Sequence, residues 1–160
     1  MRTLIVLRHA KAVHVPGLAD RERSLTDRGE RDAVRAGEAV KALGLAPELV
    51  LCSPARRTTR TAELAFPTVE TSFEGDIYGA YPEDLYELIR RLDPDVETLV
   101  LCGHNPSVHE MAMSLTGGDF TFKPGAFAVV EVDAPWVELW PGEGRLVTHW
   151  DPKEQSASRP

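Results

Sequence analysis

The sequence predicts an α/β fold: a three-layer αβα sandwich around a mostly parallel central sheet, with an antiparallel edge formed by the C-terminal part of the chain. Three short apolar runs alternate with segments of helical periodicity, which is the pattern of parallel strands covered by helices on both faces. After Gly117 and Gly118 the pattern changes to short strand-like segments separated by proline and glycine, as in antiparallel strands joined by tight turns.

The predicted strands follow from these runs. Residues 3–7, 49–52 and 98–102 are continuously apolar, which indicates strands buried on both faces, and a shorter strand is predicted near residues 68–73. Segments of helical periodicity lie between these runs. The C-terminal part is expected to add three antiparallel strands, at residues 126–133, 136–140 and 145–150.

Helices are predicted where apolar residues recur at steps of three and four. Two helix starts also follow from local chemistry, because Ser53-Pro54 and Asn105-Pro106 each place a good capping residue directly before a proline. Ser53 is therefore expected to act mainly as a helix cap. The periodic positions are Ala33, Ala36, Gly37, Val40 and Leu43, then Leu85, Leu88, Ile89 and Leu92, and then Val108, Met111, Ala112 and Leu115.

Composition limits the classes of function. The chain has 160 residues, and its 18 lysines and arginines against 25 aspartates and glutamates give a formal charge of −7. So acidic a protein is not expected to bind nucleic acid or an anionic membrane as its main partner. No apolar run reaches the roughly 20 residues that span a bilayer, and Arg8 interrupts the N-terminal one. We therefore expect no membrane anchor and no signal peptide, and a cytoplasmic location.

One domain is predicted over residues 1–151, followed by a polar tail at residues 152–160 that we expect to be disordered. Cys52 and Cys102 are too few for a disulfide framework or a self-sufficient zinc site, and they are predicted to be packed thiols. The sequence thus gives no reason to expect a structural metal.

Charged side chains follow each of the three buried runs, at the point where the strand ends. Arg8 and His9 follow the first run, Arg56 and Arg57 lie just after the second, and His104 follows the third. Because ligands of open α/β sheets bind beyond the carboxyl ends of the strands, we expect these side chains to converge. Arginine forks and helix N-termini suit tetrahedral oxyanions, so the sequence predicts a phosphate site.

Three motifs at these positions resemble a known family. The stretches LRHAKA at residues 7–12, SPARR at residues 53–57 and VLCGHNP at residues 100–106 look like motifs of the histidine phosphatase superfamily, whose best-known members are the phosphoglycerate mutases. The resemblance spans residues 2–150 and implies a phosphoglycerate mutase-like fold. The stretches similar to the branch of SixA-type phosphohistidine phosphatases are residues 20–33, 78–85 and 124–126.

The resemblance implies a role for each residue that matches the superfamily motifs. His9 matches the nucleophile that accepts the phosphoryl group, and His104 matches the second active-site histidine, which contacts the phosphate. Arg8 and Arg57 match the two arginines that hold the phosphate oxygens. Arg56 is the alternative to Arg57, although the spacing after the proline favours Arg57.

Two further assignments stay open. Arg23 precedes the Leu-Thr pair of the branch motif, and it is assigned either to the phosphate pocket or to its rim. Many members of the superfamily carry a glutamate that protonates an alcohol leaving group, and the corresponding region here does not align cleanly with that motif. The candidates for this general acid are Glu74, Asp76 and Glu83, of which Glu83 is expected instead to lie in the first turn of a helix.

These features together predict a phosphatase that needs no metal or cofactor and forms a covalent phosphohistidine on His9. The cations around His9 disfavour a protonated imidazole and so keep the nucleophile neutral. The expected partner is a phosphorylated protein or a small phosphorylated substrate. Because no carboxyl group aligns cleanly with the general acid of the superfamily, protein phosphohistidine is favoured as the substrate. The alternatives are a small-molecule phosphomonoesterase on the same scaffold, a metallophosphoesterase, and a non-catalytic phosphate- or phosphoprotein-binding module.

Overall fold

A six-stranded sheet forms the central layer of the computed structural model, which describes residues 1–153. The strands in chain order are β1 (Arg2–Arg8), β2 (Leu49–Cys52), β3 (Glu70–Phe73), β4 (Thr98–Gly103), β5 (Phe127–Val132) and β6 (Gly144–Trp150). Across the sheet their order is β3-β2-β4-β1-β5-β6. The strands β3, β2, β4 and β1 are parallel, whereas β5 pairs antiparallel with both β1 and β6. The predicted α/β fold with an antiparallel C-terminal edge is confirmed.

Helices cover both faces of this sheet. Side chains alternate along β1, so that Leu4 and Val6 point into one core and Ile5 and Leu7 into the other. The four helices are α1 (Asp27–Ala42), α2 (Arg56–Ala65), α3 (Pro82–Arg90) and α4 (Ser107–Thr116). Helices α3 and α4 pack in the first of these cores, and α1 and α2 pack in the second. Short 3₁₀ turns lie at Asp20–Glu22, Gly75–Ile77 and Trp136–Glu138.

The strand predicted at residues 136–140 is wrong, because this segment forms a 3₁₀ turn. Trp136 and Leu139 are fully buried, while Val137 and Trp140 are exposed. Buried residues three positions apart lie on one side of a turn, whereas a strand would bury every second residue. The Trp136 indole N–H donates to the carbonyl of Val96 at 2.6 Å, which fixes the turn against the core.

The two predicted helix starts are also wrong in detail. Helix α2 begins at Arg56 and α4 at Ser107, so neither Pro54 nor Pro106 is the first helical residue. The two side chains expected to cap these helices form contacts with other parts of the protein. Ser53 contacts a histidine from the neighbouring strand, and the Asn105 side-chain amide donates to the carbonyl of Phe122 at 2.9 Å. Tertiary contacts therefore use the side chains that local chemistry assigns to capping.

Strand register brings the ends of the parallel strands to one level. Arg8 at the end of β1 lies opposite Gly103 at the end of β4, and Cys52 at the end of β2 lies opposite Cys102. The next residues along the chain thus leave the sheet side by side at the same edge. Both cysteines are buried free thiols, in agreement with the prediction, and the hydrogen bond with Cys52, together with burial, raises the pKa of Cys102 well above its usual value.

The last described residues pack on the domain. Pro152 is buried, and its carbonyl accepts a hydrogen bond from Arg35 Nη2 at 3.3 Å. Residues 154–160, most of the tail predicted to be disordered, lie outside the described residues. Of the helices within residues 1–153, none has both the length and the apolar character needed to cross a membrane.

A glycine allows the two helices of one layer to approach closely. At Gly37, in the middle of α1, an added Cβ would overlap the backbone carbonyl of Ala65 at the end of α2. This contact sets the distance between α1 and α2, and the first turn of α2 carries Arg57. Glycine is unfavourable within a helix, so close packing explains its presence here.

We predict that Gly37→Ala destabilises the protein although alanine is the better helix former. Relief of the glycine penalty contributes about 1 kcal/mol, whereas forcing a methyl group against a fixed backbone costs about 1–3 kcal/mol before any further movement of α2. Chemical denaturation would measure the net loss. The control is Glu38→Ala at the exposed neighbouring position, and a Gly37→Ala protein more stable than wild type would contradict the prediction.

Candidate active site

Two histidines and an arginine are buried at the carboxyl edge of the parallel strands. His9 follows β1, His104 follows β4, and Arg57 lies in the first turn of α2. Their exposed fractions are only 7%, 8% and 6%, and the two imidazole rings lie 5.4 Å apart. Arg8 completes the group, and its pKa is lowered by burial and by the nearby charge of Arg57. Four of the five residues expected to converge thus lie together, whereas Arg56 is exposed.

The hydrogen bonding of His9 leaves one ring nitrogen available as a nucleophile. The Nδ1–H donates to the carbonyl of Ala10 at 2.7 Å, so the lone pair of the neutral ring is on Nε2. Burial is the largest cause that lowers the pKa of His9 to about 3, and the charges of His104, Arg8 and Arg57 lower it further against the opposing Ala10 hydrogen bond. His9 is therefore neutral at physiological pH.

Ser53 fixes the orientation of His104. Its hydroxyl lies 2.8 Å from His104 Nε2 and accepts the N–H of Ala55 at 3.3 Å. If Ser53 donates to Nε2, its buried hydroxyl hydrogen is satisfied and the proton of the neutral imidazole is on Nδ1. Burial and the charge of Arg57 lower the pKa of His104 to about 4, against the opposing effect of Asp20. The role of Ser53 at this site was missed by the capping argument.

Three buried nitrogens of this group have no hydrogen-bond partner among the described residues: Arg8 Nε, Arg57 Nε and His104 Nδ1, which is a donor in the tautomer that accepts from Ser53. Leaving a buried donor unsatisfied costs about 1–3 kcal/mol. Arg8 is held at another nitrogen, since its Nη1 donates to the carbonyl of Phe122 at 3.0 Å. The arrangement thus presents fixed, desolvated donors, and a tetrahedral oxyanion is the ligand whose oxygens suit them.

Asp20 also brings a carboxylate to this site, and no role was predicted for it from the sequence. Arg57 Nη1 donates to the backbone carbonyl of Asp20 at 2.7 Å, and its Nη2 donates to Asp20 Oδ2 at 2.9 Å. The Tyr78 hydroxyl donates to the same oxygen at 2.6 Å. These bonds, that of Tyr78 foremost, hold the pKa of Asp20 well below its usual range, so this carboxyl is ionised.

The remaining basic candidates occupy different places. Arg23 lies at the rim, where its Nε donates to the carbonyl of Val13 at 2.8 Å and its Nη1 contacts Asp20 Oδ1 at 3.2 Å. Arg56 is exposed, unlike its buried neighbour Arg57. It lines a groove of about 670 Å³ between α2 and the 3₁₀ turn Asp20–Glu22, beside the buried group.

The three candidate general acids have other partners. Glu83 pairs with Arg90 at 3.0 Å, and Asp76 lies 4.0 Å from Arg91. Glu74 accepts a hydrogen bond from the hydroxyl of Ser72 at 2.8 Å. The structure therefore does not bring these carboxyl groups to the histidines. Among residues 1–153, no three His, Cys, Asp or Glu side chains are grouped so that they could hold a metal ion.

Comparisons with known proteins assign this chain to a family. Residues 4–76 match the family described as the histidine phosphatase superfamily, branch 1. An uncharacterized protein of Mycobacterium tuberculosis is 33% identical over 152 residues, which cover 88% of this chain and 96% of that protein. This chain belongs to the histidine phosphatase superfamily. Membership supports phosphatase activity, and the matched segment includes His9, Arg8 and Arg57.

Solved structures of the same superfamily share the fold of this histidine phosphatase. A protein assigned as the phosphohistidine phosphatase SixA of Nakamurella multipartitia is 25% identical with a TM-score of 0.88, covering 94% of this chain and 96% of that one. Its counterpart from Agrobacterium tumefaciens is also 25% identical, with a TM-score of 0.81 and coverage of 94% and 98%. The predicted resemblance to the SixA-type branch and its phosphoglycerate mutase-like fold is confirmed.

We predict that His9 makes this histidine phosphatase less stable as the pH falls from 6.5 towards 3. In the unfolded chain His9 binds a proton near pH 6.5, whereas the pKa of about 3 keeps it unprotonated in the folded chain. Its stabilising contribution is therefore present above pH 6.5, and below it is lost at a rate approaching about 1.4 kcal/mol per pH unit.

Denaturation of His9→Asn, in which the amide can still donate to Ala10, should show about 2 kcal/mol less loss than wild type between pH 7 and 4.5. The control His14→Gln replaces an exposed histidine and should follow wild type. Parallel pH curves for wild type and His9→Asn would contradict the prediction.

We also predict that Ser53→Ala lowers kcat/KM about 10-fold, because a hydrogen bond worth about 1–1.5 kcal/mol no longer orients His104. Hydrolysis of a small aryl phosphate would measure the effect, and Ser53→Thr should restore most of the rate because it keeps the hydroxyl. Ser72→Ala serves as the control, since its hydroxyl pairs with Glu74 instead. An unchanged rate for Ser53→Ala would remove the assigned role.

Proposed function

We propose that this protein removes phosphate from phosphorylated histidine side chains of proteins, through a covalent phosphohistidine on His9 and without a metal ion or cofactor. The observation that carries the phosphatase chemistry is a neutral, buried His9 beside three unpaired donor nitrogens of Arg8, Arg57 and His104. A nucleophile with a free lone pair and a fixed set of oxyanion donors are the two elements that phosphoryl transfer requires.

In the first step, Nε2 of His9 attacks the phosphorus in line with the leaving group. The bond between His9 Nε2 and phosphorus forms while the bond to the leaving nitrogen breaks, and the electron pair stays on that nitrogen. Arg8, Arg57 and His104 donate to the phosphoryl oxygens, whose charge they stabilise in the loose transition state. The bond from Nδ1 to the Ala10 carbonyl holds the ring and stabilises the positive charge that it acquires.

In the second step, water attacks the phosphorus of the phosphohistidine. The electron pair of the bond between phosphorus and Nε2 returns to His9, and the product is inorganic phosphate, which retains both hydrogens of the water. His9 is again neutral and ready for another cycle. The arginines supply the positive charge for both steps, which is the reason to propose that no metal ion is needed.

The choice of a phosphorylated histidine as substrate rests on the leaving group. An alkoxide must be protonated as it leaves, whereas imidazole leaves as a stable neutral molecule when its other nitrogen carries a proton. Asp20 is the carboxyl group that contacts the site, and it is ionised. Glu74, Asp76 and Glu83 have other partners. The likeness to structures assigned as phosphohistidine phosphatases supports the same choice.

The proposal predicts a phosphoenzyme labelled on His9. Wild type would be mixed with a phosphohistidine-bearing peptide or with phosphate monoesters, in the presence of EDTA, and quenched in alkali, which preserves phosphohistidine. Mass spectrometry should locate the label on His9, with faster turnover of the peptide. His9→Ala should lose at least about 1,000-fold in rate, and Arg57→Ala about 100-fold, because one removes the nucleophile and the other an oxyanion donor.

Arg56→Ala is the matched control for Arg57→Ala, since it removes an exposed arginine from the adjacent position, and it should stay close to wild type. Faster turnover of monoesters than of the peptide would instead indicate a small-molecule phosphomonoesterase. Phosphate binding with no label and no turnover would indicate a binding module. Loss of activity in EDTA would contradict the metal-independent step.

A further inference from the structure

Arg57 is held at both of its terminal nitrogens by one residue that is distant in sequence. Nη1 donates to the backbone carbonyl of Asp20 at 2.7 Å, and Nη2 donates to its carboxylate at 2.9 Å. Asp20 opens the 3₁₀ turn Asp20–Glu22, which packs against α2 from outside the sheet edge. The guanidinium of Arg57 is thereby tied to a segment that is distant in the sequence.

The geometry of these two hydrogen bonds determines which part of the guanidinium remains free. A guanidinium has five N–H donors in a plane, and two oxygens of Asp20 occupy the end that carries Nη1 and Nη2. The Nε–H of Arg57 is buried without a partner. Nη2 keeps a second hydrogen on the same edge as Nε–H. This edge matches two oxygens of a phosphate. The hydrogen bonds to Asp20 therefore leave a bidentate pair of N–H donors for the substrate.

Asp20 is itself fixed by other side chains. Its Oδ2 also accepts the Tyr78 hydroxyl at 2.6 Å, and its Oδ1 contacts Arg23 Nη1 at 3.2 Å. The guanidinium of Arg21 lies over the ring of Tyr78, 4.7 Å from its centre. The Tyr78 ring in turn meets His104 edge-on at 5.5 Å. The carboxylate therefore connects the 3₁₀ turn, Arg57 and the surroundings of the second histidine.

We propose that Asp20 is a positioning residue, which holds the end of Arg57 so that its Nε edge faces the phosphate. The inference rests on the phosphate site of the proposed function and deepens it. An arginine side chain loses rotamer freedom when it is fixed, and hydrogen bonds formed before the substrate arrives remove that entropic cost from substrate binding. The carboxylate also offsets the charge of Arg57 while no anion is bound.

The carboxylate would weaken phosphate binding instead of favouring it if it competed with the phosphate for Arg57. A phosphate bound to Arg57 would lie near the carboxylate and be repelled by it. A side chain that merely occupied the anion position could swing away. Here, however, one of the two acceptors is the backbone carbonyl of Asp20, which cannot leave Arg57 without moving the 3₁₀ turn. The unpaired Nε of Arg57 also takes no part in the hydrogen bonds to Asp20. Positioning and competition predict changes of opposite sign on removal of the carboxylate.

Calorimetric titration with inorganic phosphate would measure that sign without any assumption about the substrate. Asp20→Ala should weaken phosphate binding about 10-fold, and Asp20→Asn should weaken it less, because its amide oxygen still accepts one hydrogen bond. Tyr78→Phe should act in the same direction with a smaller effect. The matched control is Glu22→Ala, which removes an exposed carboxylate from the same 3₁₀ turn and should leave phosphate binding unchanged.

A double-mutant cycle separates positioning of Arg57 from a general effect on the fold. If Asp20 acts through Arg57, then Asp20→Ala should change phosphate binding in wild type and have no further effect in the Arg57→Ala background. Thermal unfolding would check that each variant is folded, and Asp20→Asn and Tyr78→Phe provide milder versions if Asp20→Ala is not.

Tighter phosphate binding by Asp20→Ala, unchanged binding, or an equal loss in both backgrounds would overturn the positioning role. The proposed function would survive each of these results, since wild type still binds phosphate. Wild type that neither binds phosphate nor hydrolyses any substrate would overturn the proposed function as well. In catalysis, the expected loss for Asp20→Ala is mainly in KM for small aryl phosphates, with a smaller change in kcat.

Discussion

Two arginines packed beside two buried histidines form the constraint on which the rest of the site depends. Cations placed close together in a desolvated pocket repel one another, and burial with these neighbouring charges lowers the pKa of Arg8, His9 and His104. The histidines respond by remaining neutral, while the arginines cannot lose their charge. The result is a neutral nucleophile next to fixed positive charge, an arrangement that a phosphate dianion would relieve.

The fold maintains this unfavourable concentration of charge through contacts around its edge. The Ala10 carbonyl orients His9, the Ser53 hydroxyl orients His104, and the Phe122 carbonyl holds Arg8. Each of these partners is neutral, so it fixes direction without cancelling the charge. Asp20 is the exception, because its carboxylate is charged. It accepts hydrogen bonds from Nη1 and Nη2 of Arg57, at the end of the guanidinium remote from Nε. Asp20 therefore both orients Arg57 and offsets its charge, whereas the neutral partners only orient the groups that they contact.

An ionised carboxylate at such a site has consequences for the chemistry that it favours. A carboxyl group held as an anion by an arginine and a tyrosine hydroxyl cannot donate a proton to a leaving alkoxide near neutral pH. It can, however, coexist with a leaving group that already carries its proton. The same feature that fixes Arg57 thus agrees with the proposed preference for a phosphorus–nitrogen bond.

The sequence by itself determined the sheet, its parallel and antiparallel parts, and the placement of His9, Arg8, Arg57 and His104 at one edge. These follow from local patterns, because continuous apolar runs specify buried strands and parallel strands end at a common edge. The family resemblance could also be recognised from the sequence, because short contiguous motifs carry it. Arg57 was distinguished from Arg56 by the motif spacing, and the structure buries the one and exposes the other.

Only the tertiary structure decided what each polar side chain contacts. Ser53 was predicted as a helix cap because capping is a local interaction, yet its hydroxyl meets His104 from the adjacent strand. Asp20 lies in a stretch that resembles the SixA-type branch, but that motif does not reveal its partners Arg57 and Tyr78, which lie 37 and 58 residues further along the chain. Residues 136–140 were predicted as a strand because they are mostly apolar and bounded by prolines, but Trp136 and Leu139 are both buried on one side of a turn. Long-range hydrogen bonds and packing override local preference at such places, because their energies depend on neighbours that only folding brings together.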